Sequence, residues 1–153
     1  MGNVPNDPCA IARSLGVLGE RWTFLILREA AMNGASRFSE FRKALGVASD
    51  VLNDRLGTMV NHGVFEKVPY QDPGERARSS YSLTPAGHEL LLILAALQQW
   101  GDKNLPWAEG PSLLRRVRGT DQAVRVGFVD DHGREVGPDD FTLVRTASYP
   151  TAD

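Results

Sequence analysis

The chain is expected to be α+β and mainly α: a winged helix-turn-helix with a long C-terminal dimerisation helix and a small β-rich C-terminal extension. Three features point there. From Arg37 to Thr84, two short helical segments with serines at their fronts precede two strand-like runs around a polar tip. Thr84-Pro85-Ala86-Gly87 then opens another helix. That helix carries Leu90 to Leu97, apolar on every face, where a surface helix of a small domain needs one apolar stripe.

Each element follows from local pattern. Residues 1 to 8, with two prolines and two asparagines, read as a disordered arm. Ile11, Leu15 and Leu18 fall at helical spacing before Gly19, and Glu20 to Met32 follows with Trp22, Leu25, Ile26 and Ala30 on one stripe, closed by Asn33-Gly34. Both are expected to be amphipathic core helices. Ser36-Arg37-Phe38 suits a short edge strand, Ser39 an N-cap for a helix carrying Phe41 and Leu45, and Ser49 the cap of the next, with Leu52, Leu56, Met59 and Val60 recurring to His62-Gly63.

Val64 to Val68 and Ser79 to Leu83 are expected strands around Gln71-Asp72-Pro73-Gly74-Glu75, a turn-forming run. Thr84-Pro85 places a capping hydroxyl before a proline, so a helix should start there and continue through Trp100. Residues 104 to 112 read as a linker, followed by strands at 123 to 129 and 140 to 144 around the Asp131-His132-Gly133 turn. The domain plan is therefore an arm over 1–8, a DNA-binding and dimerisation domain over 9–103, and a linker with β-rich extension over 104–153.

Bulk properties narrow the function. With 153 residues there is room for one domain of roughly 100 to 150 residues and a modest extension. No apolar run approaches the roughly 18 to 20 residues a membrane span needs, and the N-terminus lacks a basic region followed by an apolar one, so a cytoplasmic protein with no membrane partner is expected. Cys9 is the single cysteine, which rules out an intrachain disulfide and a zinc site built on paired cysteines; no metal or cofactor is expected. His62, His88 and His132 are scattered, without a metal-ligand pair or a glycine-rich phosphate loop, so an enzyme is not expected.

The net charge of -2 is awkward for a nucleic-acid binder. Residues 37 to 78 nonetheless hold seven Arg/Lys against six Asp/Glu, so binding must depend on where those charges sit. If the helix after Ala48 enters the major groove, Ser49, Asp50 and Asn53 on its first turns can reach base edges, although each is also an ordinary capping residue. Arg55 is equally suited to a phosphate or to an ion pair with Asp54 or Glu40. Arg76 and Arg78 at the wing should follow the minor groove or its phosphates, with Arg37, Arg42 and Lys43 anchoring the backbone. A dimer would read a pseudo-palindromic operator in double-stranded DNA, its half-sites about one helical turn apart. The rival reading is a winged-helix protein-interaction module that never touches DNA.

Cys9-Ala10-Ile11-Ala12, Leu15 to Trp22, Leu25 to Glu29, Arg37 to Phe41, Val51 to Leu56 and Tyr81 to Gly87 together resemble the HxlR family of bacterial winged-helix regulators, relatives of the MarR group. The resemblance implies a homodimeric transcription factor whose first and last long helices form the dimer contact. On the last helix the expected interface is Leu90, Leu91, Leu94, Leu97 and Trp100. The resemblance also implies a thiol switch at Cys9, and a helix N-terminus with Arg13 one turn on favours a reactive thiolate; the alternative is a buried structural cysteine. The expected regulator is a repressor released by a thiol-reactive compound, or by a small ligand in a pocket lined by Trp22, Trp100 or Trp107. Two departures stand out: Ala10 where many relatives carry proline, and Val129 to Gly133 without the paired cysteines of some longer relatives.

Overall fold

The computed structural model describes residues 4–149. They fall into two compact units, one running to Leu91 and taking in Ser148 and Tyr149, and one spanning Leu92–Ala147. This division lies inside the stretch read from sequence as a single domain to residue 103, because the last long helix groups with the extension. Residues 1–3 of the expected arm, and 150–153 of the extension, lie outside the described residues. Residues 4–8 carry no helix or strand, yet Asp7 is engaged: its carboxylate accepts the Cys9 N–H at 2.6 Å and its carbonyl accepts from Arg13 at 2.6 Å.

The first unit runs α1 (Ala10–Leu18), α2 (Arg21–Asn33), α3 (Phe38–Leu45), α4 (Ser49–Asn61), β1 (Phe65–Tyr70), β2 (Arg78–Leu83) and α5 (Pro85–Glu89). Strands β1 and β2 form a two-stranded antiparallel wing in which Phe65 faces Leu83 and Tyr70 faces Arg78. The core is built from Ile26 and Leu27 of α2, Phe41 of α3, Leu52, Leu56 and Met59 of α4 and Phe65 of β1. Phe41, Phe65 and Tyr81 meet edge to face with centroids 6.3 to 6.4 Å apart, which pins the wing to α3.

Several local expectations shift. On α2 the buried residues are Thr23, Ile26, Leu27 and Glu29, and Trp22 and Leu25 are only half-buried. On α1 only Leu18 is buried; Ile11 and Leu15 stand 72% and 57% exposed, so this helix turns most of its apolar side outward. The edge strand at Ser36 to Phe38 reduces to a single bridge between Arg37 and Ser80, with Tyr81 N–H donating to the Ser36 carbonyl at 2.7 Å. The Glu40 carboxylate accepts the Ser36 and Arg37 N–H groups at 2.8 and 2.9 Å, so the helix begins at Phe38 with Arg37 as N-cap rather than Ser39. Ser49 likewise is the first residue of α4, capped by Ala48, and makes no capping bond.

The helix expected from Thr84 through Trp100 is broken. Thr84 caps α5 as anticipated, its hydroxyl oxygen accepting the Gly87 N–H at 3.0 Å, but Leu90 is a turn residue and α6 starts afresh at Leu91, running to Asn104. Gly87 is required where it stands: a Cβ there would sit 2.2 Å from the Val64 carbonyl oxygen. In the second unit α6 is followed by a two-residue hairpin, β3 (Phe128–Val129) with β4 (Glu135–Val136), and a single bridge between Arg116 and Ala123. The turn between them is as expected, with Gly133 at φ +76 and the Asp130 carboxylate accepting the His132 and Arg134 N–H groups. Residues 140 to 144 do not form a strand. Phe141 instead places its ring 4.7 Å from that of Phe128.

Candidate nucleic-acid interface

Gly46 ends α3 in the left-handed region, at φ +61, and Val47 inserts into the core, which together turn the chain from α3 into α4. Leu52, Leu56 and Met59 are fully buried at spacings of four and three, which fixes the rotation of α4 about its axis. At its N-terminal end Ser49, Asp50 and Asn53 are all exposed. Arg55 does not reach out with them. Its side chain is 16% exposed and its guanidinium pairs with Asp54, whose carboxyl that hydrogen bond holds below its ordinary range.

At the wing, Arg76 and Arg78 are exposed, and Arg78 contacts Glu75 at 2.8 Å across two well-solvated side chains. Pairs of this kind contribute about 0 to 1 kcal/mol, so Arg78 is available to a stronger anion. Arg42 is exposed on the last turn of α3. Arg37 is different: it donates to Asp72 at 3.1 and 3.3 Å and lies 4.3 Å over the Tyr70 ring. Linear order concealed this contact, since Asp72 sits in a turn-forming run and is separated from Arg37 by thirty-five positions.

Cys9 is half-buried at the N-cap of α1. Two open clefts flank the helical core. One, of about 420 Å³, is lined by Glu29, Asn33, Gly34, Ala35, Glu40 and Lys43 among others; a smaller apolar one of about 190 Å³ includes Val17, Leu18, His62 and Leu90. None of the three tryptophans lines either. Glu29 is buried, and burial pushes its carboxyl up, but hydrogen bonds from Asn33 at 2.6 Å and Arg28 at 2.5 Å, with the charge of Arg28, bring the net result below its ordinary value. Among the described residues, no three His, Cys, Asp or Glu side chains are grouped to hold a metal ion, and no helix is long and apolar enough to cross a membrane.

Of the expected interface, Leu90 in the turn before α6 and Leu91 at its start are half-buried, and Leu97 and Trp100 are exposed. Leu94 is 8% exposed and therefore belongs to the chain's own interior. Leu92 and Ile93, outside the expected interface, are exposed.

A family model described as HxlR-like helix-turn-helix matches residues 17–109, from the end of α1 past α6. The chain belongs to the HxlR-like helix-turn-helix family. An uncharacterised HTH-type transcriptional regulator of Mycobacterium tuberculosis is 43% identical over 107 residues, covering 70% of this chain and 66% of the relative, so the match spans just under two thirds of that protein's length. The solved structure of PA1607, described as a candidate transcription factor, superimposes with a TM-score of 0.76 at 33% identity over 90% of this chain and 95% of that one. The reduced transcriptional regulator YodB of Bacillus subtilis has a TM-score of 0.53 at 26% identity, over 63% of this chain and 93% of its own. Likeness to PA1607 thus reaches into the extension, whereas the YodB match covers a share close to that of the HxlR-like match. Membership of the family gives the chain an HxlR-like helix-turn-helix, and the Mycobacterium tuberculosis relative is described as an HTH-type transcriptional regulator.

Proposed function

We propose that this chain is a homodimeric, cytoplasmic repressor that binds a pseudo-palindromic duplex operator. The N-terminal face of α4 enters the major groove and the β1–β2 wing grips the flanking backbone. The observation that carries this reading is the exposure of Ser49, Asp50 and Asn53 together at the N-terminal end of α4, the end that would approach base edges, while Leu52, Leu56 and Met59 anchor the helix in the core. Asn53 suits two-bond pairing with adenine, and Asp50 suits acceptance from cytosine. Arg76 and Arg78 supply phosphate contacts, as does Arg42, and the apolar residues exposed on α1 and on α6 support pairing of two chains.

Release from the operator follows oxidation or alkylation of Cys9, or a small ligand in one of the clefts. With one cysteine per chain, a disulfide has to join Cys9 to a second chain or to a small thiol. The thiol route draws support from the likeness to YodB, whose structure is also known after diamide treatment.

The test is a salt titration of operator binding, using duplex DNA selected from genomic fragments by the purified full-length protein. Changing Arg76→Ala together with Arg78→Ala should weaken binding and flatten the plot of log affinity against log salt by up to about two units, close to 0.9 for each phosphate no longer neutralised. An unchanged slope removes the wing from the interface. Failure of the wild-type protein to select any duplex sinks the reading and leaves the protein-interaction module in its place.

A further inference from the structure

Glu40 and Lys43 stand three positions apart on α3, a spacing at which a carboxylate and an ammonium ordinarily meet, and they do not pair. The Glu40 carboxylate is turned back to the Ser36 and Arg37 N–H groups at 2.8 and 2.9 Å, with both bonds on Oε2. Lys43 is exposed and has no partner among the described residues. The two backbone bonds hold Glu40 below its ordinary carboxyl range, so both side chains are charged at neutral pH. Both line the cleft of about 420 Å³.

The opposite wall of that cleft is the last turn of α2. Glu29 and Asn33, four positions apart, line it. Glu29 is buried and already satisfied by Arg28 and by the Asn33 Nδ2, so it stays fixed as wall. The Asn33 Oδ1, by contrast, accepts from no described residue. Helix α2 ends beside it at Gly34, and the carbonyl end of a helix carries partial negative charge. Nothing lies within 4 Å of where a Gly34 side chain would begin, which leaves the space open. One pole of the cleft therefore attracts a cation, and the other, at Lys43, an anion. Its volume falls in the range of small-molecule sites.

We infer that this cleft binds a small amino acid, its ammonium held by Glu40 and Asn33 and its carboxylate by Lys43, and that occupancy loosens the wing. This rests on the ligand-released repressor proposed above and names both the cleft and the class of ligand. Transmission to the wing needs few steps. Ser36 and Arg37, whose N–H groups Glu40 holds, are the residues that carry the wing: the Ser36 carbonyl accepts the Tyr81 N–H of β2 at 2.7 Å, Arg37 bridges to Ser80, and its guanidinium reaches Asp72 at the tip. An ammonium that shares the Glu40 carboxylate weakens its hold on that segment. Operator and amino acid then oppose each other's binding by the same factor.

The test uses the full-length protein and the ω-amino acids from glycine to 5-aminovalerate, with butylamine and butyrate as the separate halves. Calorimetry should show saturable binding of at least one amino acid and of neither half. Lys43→Ala, at an exposed side chain without a partner, should weaken that binding by about tenfold or more, and Lys43→Arg should retain it. Saturating ligand should speed hydrogen exchange of the Tyr81 amide and lower operator affinity by about fivefold or more. No binding by any member of the series, equal binding by a half, indifference to Lys43→Ala or an unchanged Tyr81 amide overturns the inference. A protein that selects its operator while the cleft stays unresponsive overturns the inference alone. Lys43-dependent binding that speeds Tyr81 exchange in a protein that selects no duplex upholds it and overturns the proposed function.

Discussion

The Arg37 guanidinium bridges to the wing-tip carboxylate of Asp72 at 3.1 Å while lying 4.3 Å above the Tyr70 ring. One side chain thereby joins the start of α3 to the wing. The ion pair is partly solvated, with both side chains between 40 and 46% exposed, so it contributes about 0 to 1 kcal/mol and is weak enough for a phosphate to displace.

Asp72→Asn should therefore release Arg37 to the DNA backbone. The expected result is a two- to fivefold gain in operator affinity, of the order of the released pair energy, with the salt dependence steeper by about 0.9. An anisotropy titration at three salt concentrations distinguishes the outcomes. An affinity gain without a steeper slope would mean that only repulsion by Asp72 had been removed.

Gly87 and Gly57 should respond oppositely to alanine. At Gly87 a Cβ would meet the Val64 carbonyl oxygen at 2.2 Å and the Leu83 side chain at 3.0 Å, so Gly87→Ala should cost about 1 to 3 kcal/mol. At Gly57, inside α4, nothing lies within 4 Å, and Gly57→Ala should stabilise by about 0.5 to 1 kcal/mol through helix propensity. Urea midpoints of the two variants should move in opposite directions.

Glu29 links stability to pH. Its carboxyl lies below the ordinary value of 4.5, the upward push of burial being outweighed by the hydrogen bonds from Asn33 and Arg28. A folded-state value lower than the unfolded one contributes stability that is present above about 4.5 and is lost as pH falls toward the folded value. Glu40, lowered by the Ser36 and Arg37 N–H groups, acts in the same sense. Unfolding curves between pH 6 and 3 should show a shallower acid loss in Glu29→Gln than in wild type, with lower stability at pH 6. Parallel pH profiles would remove Glu29 from the linkage.

Cys9 makes a sharper test of regulation. Diamide should weaken operator binding by at least about tenfold in wild type, an allosteric coupling of ordinary size, and leave Cys9→Ser unaffected. Equal responses, or none, would transfer the role of effector to a ligand in the clefts.

Much of the first unit was legible from local chemistry. Thr84-Pro85 marks a helix start because a hydroxyl can take the Gly87 N–H and proline needs no donor there, and Asn33-Gly34 marks an end because glycine enters the left-handed region without strain. The spacing of Leu52, Leu56 and Met59 located the exposed front of α4. Caps were less legible at Ser39 and Ser49, because Glu40 reaches back to the backbone in the first case and Ala48 occupies the cap in the second. The run 140–144 has the residues of a strand but no partner strand, and alternation alone does not provide one.

What the sequence determined by itself was the order of the elements, the helix-turn-helix with its wing, and the family, since periodicity, turn chemistry and capping act over a few residues. Tertiary structure alone decided that Leu90 would break the last helix, that Leu94 would be interior while Leu92 and Ile93 faced outward, that Arg37 would be held by Asp72, and that the extension would lack a core of its own. These outcomes depend on which distant surfaces meet, and no local pattern encodes a contact between residues thirty-five positions apart.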